Sequence, residues 1–108
     1  NICHTTLVRA QENLVYAVSA NRVGTQGGSR WAGSSVIGGP AFPGFGRVLA
    51  RAGIDEEMIV ATLNFAQLDA WHDWLPWREW RAGAQAPVSR LVAEEFARLV
   101  IPAGRPRA

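Results

Sequence analysis

One thiol, two imidazoles and nine carboxylates are the titratable groups with which this chain could do chemistry, and their spacing limits what they can do together. Cys3 stands beside His4, Glu12 beside Asn13, and His72 beside Asp73. Neighbours on a strand point to opposite faces, so Cys3 and His4 cannot form a local nucleophile–base dyad there. His72 with Asp73 is too sparse for a metal, which needs three or four ligands. Ser34 and Ser35 lack the strand–turn–helix elbow that exposes a serine nucleophile, and no histidine follows them until His72. Gly24, Gly27 and Gly28 lack the lysine and the following helix of a phosphate-binding loop. All eleven basic residues are arginine. A guanidinium keeps its proton at every useful pH, so no reaction that needs a lysine amine can run inside these residues alone. Asn21 and Arg22 close a buried strand and open a loop, where ligand-contacting groups are commonly carried. They are the candidate substrate-binding pair, and no residue is assigned a catalytic role.

The elements that would hold these groups follow from the pattern. Residues 5–13 read as a short helix with Thr5 or Thr6 as N-cap, and Leu14 to Ala20 as a valine-rich buried strand. The glycines of 24–30 make a loop. A meander is expected from Ser34–Ile37, Arg47–Arg51 and Met58–Leu63, with the Gly/Pro-rich 38–46 as a turn or ordered loop and 53–57 as an acidic turn. Phe65 to Trp74 has helical spacing, Asn64 suits its N-cap, and Pro76 ends it. Residues 82–87 read as a linker, 88–100 as an amphipathic helix with Leu91, Val92, Phe96 and Leu99 on one stripe, and 102–108 as a flexible tail. Strands in sequence with helices at the ends imply an α+β fold with a mostly antiparallel sheet.

Composition bounds the rest. At 108 residues the chain holds one domain at most, and 48% hydrophobic with 19% charged residues is ordinary for a globular protein. No apolar run approaches a membrane span, and a net charge of +2 is too small to argue for nucleic acid. A single cysteine rules out an internal disulfide and favours a reducing, cytoplasmic setting.

Six motifs stand in order: Glu-Asn-Leu-Val-Tyr at 12–16, Ser-Ala-Asn-Arg-Val-Gly at 19–24, Gly-Ser-Ser-Val-Ile at 33–37, Gly-Arg-Val-Leu-Ala at 46–50, Glu-Glu-Met-Ile-Val-Ala at 56–61 and Leu-Pro-Trp-Arg at 75–78. Together they resemble the C-terminal half of the nitrilase superfamily, the carbon–nitrogen hydrolases. The resemblance implies a partial αββα sandwich of the kind usually doubled by dimerisation. It also implies hydrolysis of non-peptide amide, carbamoyl or nitrile C–N bonds by a cysteine nucleophile, a glutamate base and a lysine that stabilises the tetrahedral intermediate. No cofactor is expected. Family members are more than twice this long, with their glutamate and lysine upstream. Residues 1–81 are therefore expected to be the C-terminal part of such a domain, and 82–108 a linker, a C-terminal helix and a tail.

Within the resemblance, Asn1–His4 has two placements: the end of the nucleophile strand, or the following strand, which in relatives can also read Ile-Cys-His. The first lacks the acidic residue that normally follows the cysteine, and its nine positions from Cys3 to Glu12 are too few. Glu12 is read as a residue bonded to backbone or arginine groups. Trp71, Trp74, Trp77 and Trp80, with Arg78 and Arg81 among them, resemble a stacking surface for sugar or single-stranded nucleic acid, but read more simply as packing rings with stacked arginines. The alternative to a hydrolase fragment is a non-catalytic, truncated homologue that pairs or binds through its sheet edge and tryptophan surface. The isolated chain should release no ammonia from simple amides above buffer, with or without iodoacetamide, and should be oligomeric or poorly soluble. Thiol-dependent turnover, or a sharp monomer with cooperative melting, would contradict this.

Overall fold

The computed structural model describes residues 2–100. The chain divides between Trp74 and Leu75 into two units.

The first unit opens on helix α1 (Ile2–Asn13), which starts earlier than the sequence suggests and runs through Cys3 and His4. Neither strand placement of that tetrapeptide holds. Thr6 is no cap: its Oγ1 donates to Ile2 O at 2.7 Å inside the first turn. Cys3, Ala10, Gln11 and Leu14 are buried at helical spacing. The helix ends in a six-residue wrap. Val15 N–H donates to Ala10 O at 3.1 Å, Leu14 N–H reaches Gln11 O at 3.4 Å, and Leu14 takes φ 50°. A glycine normally fills that left-handed site; here a leucine does, and its side chain is almost wholly buried. Leu14 is thus a helix cap, and the strand expected from it shrinks to β1 (Ala17–Ser19).

Two antiparallel sheets follow. Residues 24–30, expected as a plain loop, fold into a small hairpin of β2 (Thr25–Gln26) and β3 (Ser29–Arg30), turned by Gly27 and Gly28. The main sheet runs β1–β4–β5, with β4 (Val36–Gly39) in the centre and β5 (Arg47–Arg51) where the alternating pattern put it. Val18 faces Ile37, and Ile37 faces Ala50, with an irregularity between Ile37 and Gly38. Val36 is fully buried at the heart of the sheet, and α1 packs on β1 and β4.

Two departures have clear causes. Gly38 and Gly39 lie in the central strand instead of a turn: a Cβ on Gly38 would sit 2.5 Å from Leu7 Cδ2 of α1, so close helix packing requires the glycine. The expected third strand at 58–63 is not a strand. Its residues alternate between exposed and half-buried with period two, yet no described neighbour pairs with them. The third place in the sheet belongs to β1. After this extended segment, α2 (Phe65–Trp74) has the expected bounds, capped by Asn64 Oδ1, which accepts from Gln67 N–H at 2.9 Å.

Among its described residues the second unit holds one helix, α3 (Trp77–Leu99). It absorbs the expected linker, with Gly83 and Pro87 inside it, and none of its residues is buried. The expected tail at 102–108 lies outside the described residues.

Gly33 tests this packing. It has φ 59°, and a Cβ there would collide with Gly53 O and the backbone of Ile54. Gly33→Ala should lower stability by about 2 kcal/mol, through left-handed strain plus overpacking. Gly83→Ala, in open space, should instead raise helicity by about 0.5–1 kcal/mol. Urea midpoints and far-ultraviolet circular dichroism check both.

Candidate functional site

Asn21 and Arg22 follow β1, and Arg22 reaches the small hairpin at Gln26. The two side chains do different work. Asn21 Nδ2 donates to Gly33 O at 2.6 Å, while its backbone N–H donates to Ser35 Oγ at 2.8 Å and its carbonyl accepts from the same hydroxyl at 3.3 Å. Asn21 and Ser35 therefore tie the strand exit to the turn before β4, where Gly33 N–H donates to Arg22 O at 3.0 Å. Arg22 is exposed. Its guanidinium lies 4.9 Å from the Trp31 ring centroid, and its Nη2 donates to Gln26 Oε1. Stacking and that hydrogen bond hold the planar fork in one orientation, which suits a carbonyl or carboxylate oxygen.

The other candidates are placed less favourably for chemistry. Cys3 is a buried thiol in the first turn of α1, 5% exposed, where a nucleophile has little access to a substrate. His4 is exposed on the same helix. Glu12 Oε2 accepts from Arg9 Nη1 at 2.9 Å on the open face of α1, the surface pairing expected of it. Ser34 lies at φ 63° and donates its N–H to Gly53 O at 2.9 Å, with no histidine in reach among the described contacts. Among the described residues, no group of three or more His, Cys, Asp or Glu side chains could hold a metal ion. No described helix is long and apolar enough to cross a membrane.

Three polar side chains hold the layers in place, and of these only Gln11 is not singled out in the sequence. Gln11, on the buried face of α1, accepts at Oε1 from Ala41 N–H (2.9 Å) and Gly46 N–H (2.8 Å), and donates from Nε2 to Ala41 O (3.3 Å). One carboxamide thus pins both ends of the 41–46 loop. The signal for it is a polar residue on an apolar helical stripe, which must find partners. Tyr16 Oη both donates to Asn64 O and accepts from Asn64 N–H, each at 2.9 Å, and its ring meets Phe65 edge-on at 5.5 Å. His72 Nε2 lies 2.6 Å from Leu14 O. Both ends of α2 are thereby fixed to the α1–β1 junction.

The tryptophan run is divided by this arrangement. Phe42, in the loop held by Gln11, meets Trp71 and Trp74 edge-on at 5.3 and 5.4 Å. These rings pack within the first unit, against the 41–46 loop. In α3, Arg78 stacks over Trp77 at 5.4 Å.

The family model described as carbon-nitrogen hydrolase matches residues 4–73. An (R)-stereoselective amidase from Pseudomonas sp is 46% identical over 65 residues, which cover 59% of this chain and 22% of that protein. The chain thus spans about a fifth of the length of the relative it matches. No solved structure matches significantly.

Gln11 and Glu12 are adjacent but should differ sharply on truncation. Gln11→Ala strands two amide N–H groups and a carbonyl, so it should cost about 2–3 kcal/mol. The Ala41 and Gly46 amides should then exchange faster with deuterium. Glu12→Ala loses an exposed ion pair and should cost less than about 0.5 kcal/mol. Equal losses for the two variants would refute the assigned role of Gln11.

Proposed function

The chain belongs to the carbon–nitrogen hydrolase family, and from that premise we propose that it is the C-terminal part of a hydrolase acting on small non-peptide amides, with carbamoyl or nitrile groups as the wider substrate class. The observation that carries this reading is a coincidence of boundaries. The matched residues 4–73 are the ones that fold as the first unit, which ends at Trp74, and the amidase resemblance falls on a comparable length. Sheet β1–β4–β5 with α1 and α2 would supply part of an αββα sandwich; the boundary expected after residue 81 falls inside α3, so the proposed domain ends with the first unit, at Trp74.

In this reading a cysteine thiolate adds to the amide carbon, a lysine ammonium stabilises the oxyanion, and a glutamate passes the thiol proton to the departing amine. Water then hydrolyses the thioester. None of those three groups comes from the described residues. The chain has no lysine, Cys3 is buried in α1, and Glu12 is spent on Arg9. Asn21 and Arg22 act at the pocket rim, Asn21 by fixing the loop through Gly33 and Ser35, Arg22 by presenting its stacked guanidinium to a substrate oxygen. Cytoplasmic residence and self-association complete the proposal. A second reading, a non-catalytic binding module, draws on the same missing lysine and on the fully exposed α3.

Grafting separates the two. Residues 4–73 of this chain would replace the matched segment of the Pseudomonas amidase, and ammonia release from (R)-amides would be followed. The chimera should hydrolyse them. Arg22→Ala in the chimera should raise KM about tenfold with kcat little changed, the worth of one charge-assisted hydrogen bond. Cys3→Ser should change neither constant. A well-folded chimera without activity, or loss of activity on Cys3→Ser, would overturn the proposal.

A further inference from the structure

Helix α3 presents an unpartnered face whose charges match a second copy of itself. Every described residue from Arg78 onward is exposed, including Val88, Leu91, Val92, Phe96 and Leu99. At 23 residues the helix is about 35 Å long. Alone in water it is a poor helix, because Gly83 and Pro87 weaken its middle and none of its described residues is buried to compensate. Its apolar residues nonetheless share one side. One shallow hollow on α3 is lined by Arg81, Ala84, Val88 and neighbours, and a second by Leu91, Val92, Glu95, Phe96 and Leu99.

Residues seven apart lie nearly above one another on a helix. Arg81, Val88 and Glu95 therefore form one row along this face, with a cation at one end, an aliphatic residue midway and an anion at the other. A row of that kind is complementary to its own reverse. We propose that α3 pairs antiparallel with α3 of a second copy of this chain, about a two-fold axis at Val88. That register sets Val88 against Val88, Arg81 against Glu95 twice, and small Ala84 against Val92. Parallel pairing would instead oppose Arg81 to Arg81 and Glu95 to Glu95. In the single chain Glu95 accepts from Arg98 at 2.7 Å on the same helix, so the second copy adds a cation to a carboxylate already held in place. The proposal stands apart from the hydrolase reading, since it uses only residues outside the family match.

Charge reversal tests it on the full chain. Sedimentation equilibrium should find a dimer, and Arg81→Glu or Glu95→Arg alone should weaken it by about tenfold or more, because each opposes like charges twice. An equimolar mixture of the two variants should regain the wild-type affinity, since in the mixed dimer both pairs become opposite in sign. Circular dichroism controls for lost helix in either variant. A monomeric wild type, singles that dimerise normally, or well-folded singles whose mixture stays weak would each overturn the proposal. Activity of the amidase chimera, which lacks α3, would be unaffected by any of these results.

Discussion

A sheet of three strands, none longer than five residues, pairs only a small share of the backbone groups around it. Every other buried N–H and C=O must find a partner or cost free energy. In this chain side chains meet that demand, and the Gln11 carboxamide is the central case. Without it, the ends of the 41–46 loop would lose their shared acceptor. Phe42 would then have no fixed place, and the rings of Trp71 and Trp74 would lose the surface they pack on. Asn21 with Ser35 serves the turn before β4 in the same way, and Tyr16 with His72 serves both ends of α2. Apolar burial alone is thin: Cys3, Ala10, Leu14, Val36, Ala52 and Leu68 are the buried apolar residues among those described. Polar ties between segments far apart in sequence therefore fix the layers as much as the core does.

This economy bears on the proposal that the first unit is part of a larger hydrolase. Met58, Val60 and Val18 are strongly exposed, and the 58–63 segment alternates like a strand without a neighbour. Tyr16 holds the end of that segment by both backbone groups of Asn64. Such a stretch is already extended and ready for pairing. This fits a chain that spans about a fifth of the amidase it resembles, and it accords with the proposal that further strands and the reacting groups come from sequence outside these residues.

Local chemistry was legible where it acts alone. The Asn64 cap gave the start of α2, and the polar–apolar alternation of Arg47–Arg51 gave β5 with its bounds. Legibility failed wherever a distant partner decided the outcome. Leu14 looks like a strand residue, yet the wrap onto Ala10 and Gln11 and the contact with His72, 58 positions away, make it a helix cap. Gly38 and Gly39 look like a turn, but Leu7 and Tyr16 lie too close for any side chain there. Met58–Leu63 has the composition of a strand and no ladder to join. At the candidate site, the sequence puts Asn21 and Arg22 just past a buried strand; β1 ends two residues before Asn21 but is half-buried, with Val18 exposed, and the Trp31 stack and the Gln26 contact of the guanidinium depend on the hairpin turned by Gly27 and Gly28.

The two polar residues at that exit have different surroundings, which is why the proposed binding role falls on Arg22 and a structural one on Asn21. Asn21 turns its carboxamide inward and is consumed by Gly33, so its contact with a ligand would compete with the turn before β4. Arg22 turns outward, and its two partners, an aromatic face and a neutral amide oxygen, leave the positive charge uncompensated. Stacking on Trp31 removes rotamer freedom that a free arginine would lose on binding, so part of the ordering cost is met before a ligand arrives. An uncompensated, pre-oriented guanidinium differs from the arginines of α1 and α3, where Arg9, Arg90 and Arg98 are paired with carboxylates three or four residues away. Arg30, Arg47 and Arg51 of the first unit likewise have no carboxylate partner among the described residues, so it is the stack on Trp31, and not the missing ion pair, that sets Arg22 apart and supports the proposal that it receives a substrate oxygen.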